Sequence, residues 1–327
     1  MSYLKKILQV VLPLALAAFL FWWVYKDMDF ERLKLVLREG LRYEWLLLSV
    51  VFSTLSMVIR GLRWQQLLEP VANGARKKTA ILAVFVSYAA NLIFPRAGEV
   101  ARCGIVKKSN GASFSKALGT VITERVFDVI FLGVIALAAI VSQLPFFRLF
   151  LENNPDALTR FQRILSSKTV WVGLGSVLLL LIFLRYYLKK FSFYSRLKDF
   201  LMKLWDGMRS ITTLKHPVLF LVYSAGIWLL YFLMFYIGKY FFSFEVNLGV
   251  WALLTGFVMG SFGVVAPVQG GIGAYHFMVI YTLVFFGMGE SDAGIFALVL
   301  HGLQTILSLI SGLIAYIWLY FDEKSVK

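Results

Sequence analysis

An all-α polytopic membrane protein is the fold class this sequence predicts, on three observations. Of its 327 residues 60% are hydrophobic and 16% charged, against roughly a quarter charged in ordinary soluble domains. Mean hydropathy is +0.77. The apolar residues fall in repeated runs close to the length a helix needs to span a bilayer, not in the short alternating segments of a transmembrane barrel.

Charge and cysteine content narrow the class. The net charge is +15 and the isoelectric point about 9.8. No nucleic-acid-binding motif accompanies it, so the surplus is read as positive-inside loops facing anionic headgroups, and no nucleic acid partner is expected. Cys103 is the single cysteine, which excludes an intrachain disulfide and any cysteine pair for metal. His216, His276 and His301 show no metal-ligand spacing. No nucleophile–base pair or nucleotide fingerprint occurs, so neither an enzyme nor a cofactor is expected.

The elements follow in order. An apolar run at 7–25 is preceded by Lys5 and Lys6. It resembles a signal peptide but continues through Tyr25, too long for the apolar region of one, and reads as an uncleaved first helix. Further membrane segments are expected at 44–60, 79–94, 98–109, 117–141, 170–188, 217–240, 249–266, 274–288 and 294–320. Between them lie a mixed-charge stretch at 26–43, a basic loop at 61–78 and a polar loop at 142–169. The basic stretch 189–216 alternates apolar and charged residues at helical spacing. It fits a surface amphipathic helix or an ordinary connecting helix equally. The whole chain, 1–327, reads as one integral membrane domain.

Charge parity sets the topology. The 61–78 loop carries Arg63, Arg76, Lys77 and Lys78, and the 189–216 stretch seven basic residues including Lys189 and Arg196. Both belong in the cytoplasm, so an even number of crossings separates them. That holds if 79–109 enters and leaves on one side as a re-entrant hairpin with "NLIFPRAGE" at its tip. A second hairpin, entering from outside, is expected around "APVQGGIGAYH". The result is about six full spans plus two hairpins, with both termini cytoplasmic. Each half (1–150 and 165–321) then reads as two spans, a hairpin and one span. This is the plan of an inverted-topology repeat, and Pro-x-x-Gly recurs at Pro95–Gly98 and Pro267–Gly270.

Polar residues inside these segments are the candidate site. Glu124 and Asp128 lie one helical turn apart on one face, with Arg125 three residues from Asp128. Ionisable groups at membrane depth face a protein interior or a wet cavity, as a structural ion-pair cluster or as handlers of a substrate. The first tip supplies Asn91, Pro95, Arg96, Gly98, Glu99 and Arg102. Pro95 frees backbone groups and Gly98 permits a tight turn. A helix starting there could aim N–H groups at an anion, and the two arginines could grip a phosphate with forked hydrogen bonds. The second tip holds Pro267, Gln269, Gly270, Gly271, Gly273 and His276. Its glycine density permits an unwound segment, and His301 and Gln304 follow on the next helix. Arg60, Arg63 and Trp64 read as interfacial anchors.

The ordered series "RGLRW", "NLIFPRAGEVAR", "TERVFD" and "APVQGGIGAYH" resembles the lysylphosphatidylglycerol synthase transmembrane-region, or flippase-like, family from about Arg60 onward. The resemblance implies movement of aminoacylated or glycosylated lipids between leaflets. Full synthases in that family add a soluble aminoacyltransferase domain. None occurs in this sequence, so synthesis of the lipid is not expected of it. Two positions depart from the family pattern. Gln269 stands where a second proline is usual, and His276 where a glutamate is usual. Either change bears on the substrate, and a histidine there also bears on proton coupling.

The expected function is movement of an anionic, aminoacylated or glycosylated lipid, or a polyprenyl-phosphate carrier, across the inner membrane. Two alternatives stand beside it. One is a non-transporting membrane partner of a separately encoded glycosyltransferase or aminoacyltransferase. The other is an ion-coupled small-solute transporter.

Overall fold

The structure is a computed structural model. It describes residues 3–72, 76–94, 96–110, 112–153, isolated positions between 159 and 176, 214–266 and 268–325. Pro95 and Pro267 lie outside the described residues, as do most of the segment expected at 170–188 and the basic stretch up to 213. The chain divides into two units, residues 140–210 and the remainder; the second of these is built as follows.

Among the described residues the apolar runs become helices. They are α1 (Tyr3–Tyr25), α2 (Phe30–Glu39), α3 (Tyr43–Leu68), α4 (Lys77–Ile93), α5 (Ala97–Asn110), α6 (Phe114–Asn153), α7 (Pro217–Ile237), α8 (Val250–Val265), α9 (Ala274–Phe285) and α10 (Glu290–Ser325). Single 3-10 turns stand at Gly238–Tyr240 and Gln269–Gly271. Among the described residues α3, α6, α7 and α10 are long and apolar enough to cross a membrane. Local chemistry sets several ends. The Asp29 carboxylate accepts from the Arg32 N–H at 3.0 Å and starts α2. Pro217 opens α7 at a position where its missing N–H costs nothing.

Three boundaries differ from expectation. The 26–43 stretch contains α2, whose charges lie on one short, capped helix. The first basic loop is shorter, because α3 runs past Arg60 to Leu68. The loop expected from residue 142 is instead the last part of α6, which continues to Asn153 despite Pro145 within it.

α10 is the ruler of the fold. Its 36 residues make a rod of roughly 54 Å at 1.5 Å per residue. α4 packs along it antiparallel. Lys78 pairs with Asp322 at 2.7 Å near one end, and a Cβ on Gly312 would abut Ala89 and lie 2.8 Å from the Phe85 carbonyl. Residue 78 therefore matches 322 and residue 89 matches 312. Continued five residues further, Phe94 stands level with about Leu307, at the middle of α10. The first hairpin thus enters from the Asp322 end and stops half-way.

The second hairpin arrives from the other end. α9 joins α10 through residues 286–289 and runs back along it, with Tyr275 stacked on His301 at 4.8 Å. The tip carbonyl of Gly270 accepts from His301 Nε2 at 2.9 Å. A Cβ on Gly270 would lie 3.0 Å from Leu92 Cδ2, so the two tips touch. At the Glu290 end of α10, Arg32 pairs with Asp292 at 3.1 Å, the Arg42 N–H donates to the Phe241 carbonyl at 2.9 Å, and Ser243 hydrogen-bonds Glu39. Residues 26–43, 238–249 and 286–292 therefore gather at this end of α10.

Candidate functional site

The first hairpin closes on glycine and asparagine. A Cβ on Gly98 would collide with the Ser87 carbonyl and lie 2.8 Å from the Asn91 side chain. Gly98 therefore serves close approach of α5 to α4. The positive φ of the turn falls on Arg96 instead, at +64°, a left-handed conformation uncommon outside glycine. The Gly98 N–H donates to Asn91 Oδ1 at 2.7 Å, so this N-terminal donor is satisfied inside the hairpin and does not point at an anion. Arg96 is exposed at the tip.

Below this tip lies an ionic cluster built from α5 of the hairpin and two further elements, α3 and α6. Arg60 and Arg63 project from α3, Glu124, Arg125 and Asp128 from α6, and Glu99 and Arg102 from α5. Glu124, fully buried, accepts from Arg60 Nε at 2.9 Å, Arg63 Nη2 at 3.0 Å and Arg102 Nη1 at 2.7 Å. Asp128 accepts from Arg63 Nη2 at 2.7 Å and also pairs with Arg60. Arg125 spans to Glu99 at 2.8 Å and to Asp128 at 3.4 Å. Tyrosines from two more helices complete the shell. Arg60 Nη1 donates to the Tyr88 hydroxyl at 3.1 Å and the Tyr231 hydroxyl at 2.8 Å, and these two hydroxyls share a 2.6 Å hydrogen bond. Arg63 Nη1 donates to Ser224 Oγ at 3.0 Å.

Arg60, Arg63 and Trp64, expected as interfacial anchors, point into the bundle and take part in this cluster. The two arginines are 4% and 0% exposed, and Trp64 is fully buried. Trp64 donates from its indole N–H to Thr120 Oγ1 at 3.0 Å and offers its ring face to the Arg102 guanidinium at 4.7 Å. The physical reason is the extension of α3 to Leu68, which carries these residues inside the bundle.

Four guanidinium groups meet three carboxylates, a formal surplus of one positive charge. Arg102 Nε and Nη2, Arg63 Nε and Glu99 Oε2 are buried without a hydrogen-bond partner. Pairing keeps such charges tolerable in an apolar interior, and guanidinium donors without partners are of the chemical type that an anionic oxygen would satisfy.

The second tip is of another kind. Its backbone is left-handed at Gly270, Gly271 and Gly273. At Gly273 a Cβ would lie 2.8 Å from the Phe21 nitrogen of α1, so glycine answers both the φ of +82° and the packing. The Gly273 N–H donates to His276 Nδ1 at 3.2 Å. The His276 ring, 2% exposed, lies edge-on to Phe21, Tyr25 and His301 at 5.4, 5.3 and 4.8 Å. Gln269 is buried and neither of its side-chain polar atoms has a partner. Gln304 is half-buried on α10, three residues from His301.

Of the residues singled out in the sequence, Glu99, Arg102, Glu124, Arg125 and Asp128 share one cluster with Arg60 and Arg63. Gln269, Gly270, Gly271, Gly273, His276 and His301 form the second. The sequence reading missed Tyr88, Ser224 and Tyr231. The missed role of Arg60 and Arg63 had a signal: Ser49, Ser53, Ser56, Arg60 and Arg63 recur at intervals of four and three, one continuous stripe of α3, and all five are buried.

A family model described as the lysylphosphatidylglycerol synthase TM region matches residues 10–312. UPF0104 membrane protein PH1989 of Pyrococcus horikoshii is 31% identical over 132 residues, 39% of this chain and 38% of that protein. Glycosyltransferase AglD of Haloferax volcanii is 33% identical over 85 residues, 25% of this chain and 13% of that protein. The matched stretches therefore cover less than half of either relative. No solved structure matches significantly. The breadth of the family match, which includes both hairpins and the ionic cluster, is decisive: this chain belongs to the lysylphosphatidylglycerol synthase transmembrane-region family.

Proposed function

We propose that this multi-pass membrane protein moves a phosphate-bearing lipid headgroup between the leaflets of the inner membrane. The observation that carries the reading is the meeting of two hairpin tips half-way along α10, beside a buried cluster with one surplus positive charge. Two half-crossing hairpins leave a thin partition where a headgroup needs a polar step, while its tails stay in lipid. The exposed Arg96 and the 47% exposed Arg125 side chain draw in the phosphate, and Arg102 receives it with donors that have no partner. Glu99, Glu124 and Asp128 balance the charge once it has left. The hairpins are the matching parts of an inverted repeat with halves 1–150 and 165–321, and both termini face the cytoplasm. The chain is a carrier without catalysis of its own.

The test uses the purified full chain in liposomes carrying fluorescent phospholipids or polyprenyl-phosphate lipids and a membrane-impermeant quencher. Quenching of the inner-leaflet pool, above protein-free liposomes, is expected. Quenching confined to the outer leaflet for every lipid would overturn the reading.

A second reading has one observation in its favour, the similarity to a protein named as a glycosyltransferase. Here the chain would be the membrane partner of a separately encoded transferase. Co-purification with such an enzyme, with no lipid movement by the chain alone, is its signature.

A further inference from the structure

The two tips differ in charge as well as direction. The turn Gln269–Gly271 packs against α1, α4 and α8. No aspartate, glutamate, lysine or arginine occurs in the stretches of chain around it, residues 14–25, 79–94, 246–288 and 293–321. One nitrogen of each nearby imidazole is held by tip backbone. His276 Nδ1 accepts from Gly273, and His301 Nε2 donates to Gly270. Among the described residues of this tip, the Gln269 carboxamide, 3% exposed, is buried without a partner on both its oxygen and its nitrogen. Buried groups in that state are costly and few in native proteins.

A carboxamide has an acceptor oxygen and two N–H donors, so the group that satisfies it must both donate and accept. A hydroxyl does. An ammonium only donates; it would leave the amide nitrogen unpaired and bring a charge where no carboxylate waits. A phosphate only accepts and would leave the amide oxygen unpaired. We propose that Gln269 is a specificity-determining residue that hydrogen-bonds a neutral, hydroxyl-bearing headgroup, a sugar or a glycerol, at the junction of the tips. This rests on the lipid-headgroup reading above and divides the labour: the ionic cluster takes the charge of the lipid and the second tip reads its neutral part.

Native mass spectrometry of the purified full chain tests this with lipids of identical tails: phosphatidylglycerol, phosphatidylethanolamine, phosphatidic acid and, to separate the two hydroxyl sources, a polyprenyl-phosphate sugar. The wild type should retain at least one hydroxyl-bearing lipid about tenfold over the ethanolamine and the bare phosphate, the selectivity that about 1.4 kcal/mol confers. Gln269→Met should abolish that preference and melt no lower than wild type, since it removes two unpaired polar atoms at similar length. Gln269→Glu should shift retention toward phosphatidylethanolamine. A wild type that favours the ethanolamine or shows no preference, a Met variant that keeps the preference, or a Met variant that melts clearly lower would each overturn the proposal. Headgroup preference without lipid movement across vesicles would instead sink the transport reading and leave this one standing.

Discussion

Neutralising Glu124 should be among the most damaging single changes this fold can suffer. The carboxylate is fully buried and is held by three guanidinium groups on two helices. Charge-assisted hydrogen bonds contribute about 1.5–3 kcal/mol each, but the three do not fail equally. Arg60 and Arg63 keep Asp128 as a partner. Arg102 has Glu124 as its ion-pair partner, so Glu124→Gln leaves a buried guanidinium uncompensated and sets an amide N–H against its donors. The formal surplus rises from one charge to two. Breaking a buried pair on one side costs about 3–5 kcal/mol, and that is the loss expected here, read as a lowered melting temperature of the purified protein. Glu31→Gln, which breaks an exposed pair with Lys34, is the control and should shift stability by no more than about 0.5 kcal/mol. Adding Arg102→Gln to Glu124→Gln should recover much of the loss, since the two sites are coupled. A Glu124→Gln protein as stable as the Glu31→Gln control would refute the reasoning.

Three further outcomes follow from packing. Gly98→Ala should destabilise by about 3 kcal/mol, because its methyl meets a backbone carbonyl of α4 that cannot move aside; Gly104→Ala on the same helix meets nothing within 4 Å and should gain about 1 kcal/mol. Thermal melts of the pair decide it, and equal effects would contradict the close approach of α5 to α4. Tyr231→Phe removes a hydroxyl shared by Arg60 and Tyr88 and should cost about 1–3 kcal/mol, measured the same way. Cys103, fully buried on α5, should react with a maleimide only slowly in the folded protein and quickly once the protein is denatured. Fast labelling in the native state would place α5 away from its neighbours.

Much of this was legible from the chain. Each described span begins or ends within a few residues of an apolar run, because burial in lipid demands such runs and little else writes them. The doubling back of 79–109 was readable from the basic stretches 61–78 and 189–216, whose parity asks for it, and α4 and α5 do fold back on each other at residues 94–97. The ionic cluster was only half readable. Glu124 and Asp128 announce themselves by facing one side of an apolar helix. Their partner Arg60 lies 64 and 68 residues away, and no local periodicity encodes a pairing at that distance. Arg60 and Arg63 looked like anchors because arginines close to a helix end usually are. The serine stripe behind them carried the contrary information. Gly98 misled for a similar reason: a glycine in a tip suggests a turn, while here it admits a neighbouring helix and Arg96 bears the left-handed geometry. Opposite entry of the two hairpins was already expected from charge and the repeat plan; the contact of their tips, Gly270 against Leu92, needed the pairing of α4 and α9 along α10, which sequence does not hold.

The central claim, that a headgroup passes where the tips meet, has a direct test in one reversible experiment. In a Cys103→Ser background, Leu92→Cys and Gly270→Cys place two thiols across the junction, where a Cβ at 270 lies 3.0 Å from the Leu92 side chain. A short bis-methanethiosulfonate linker should join them within one chain. Movement of fluorescent lipid in liposomes should stop on linking and return on reduction. Complete linking with undiminished lipid movement would contradict the account.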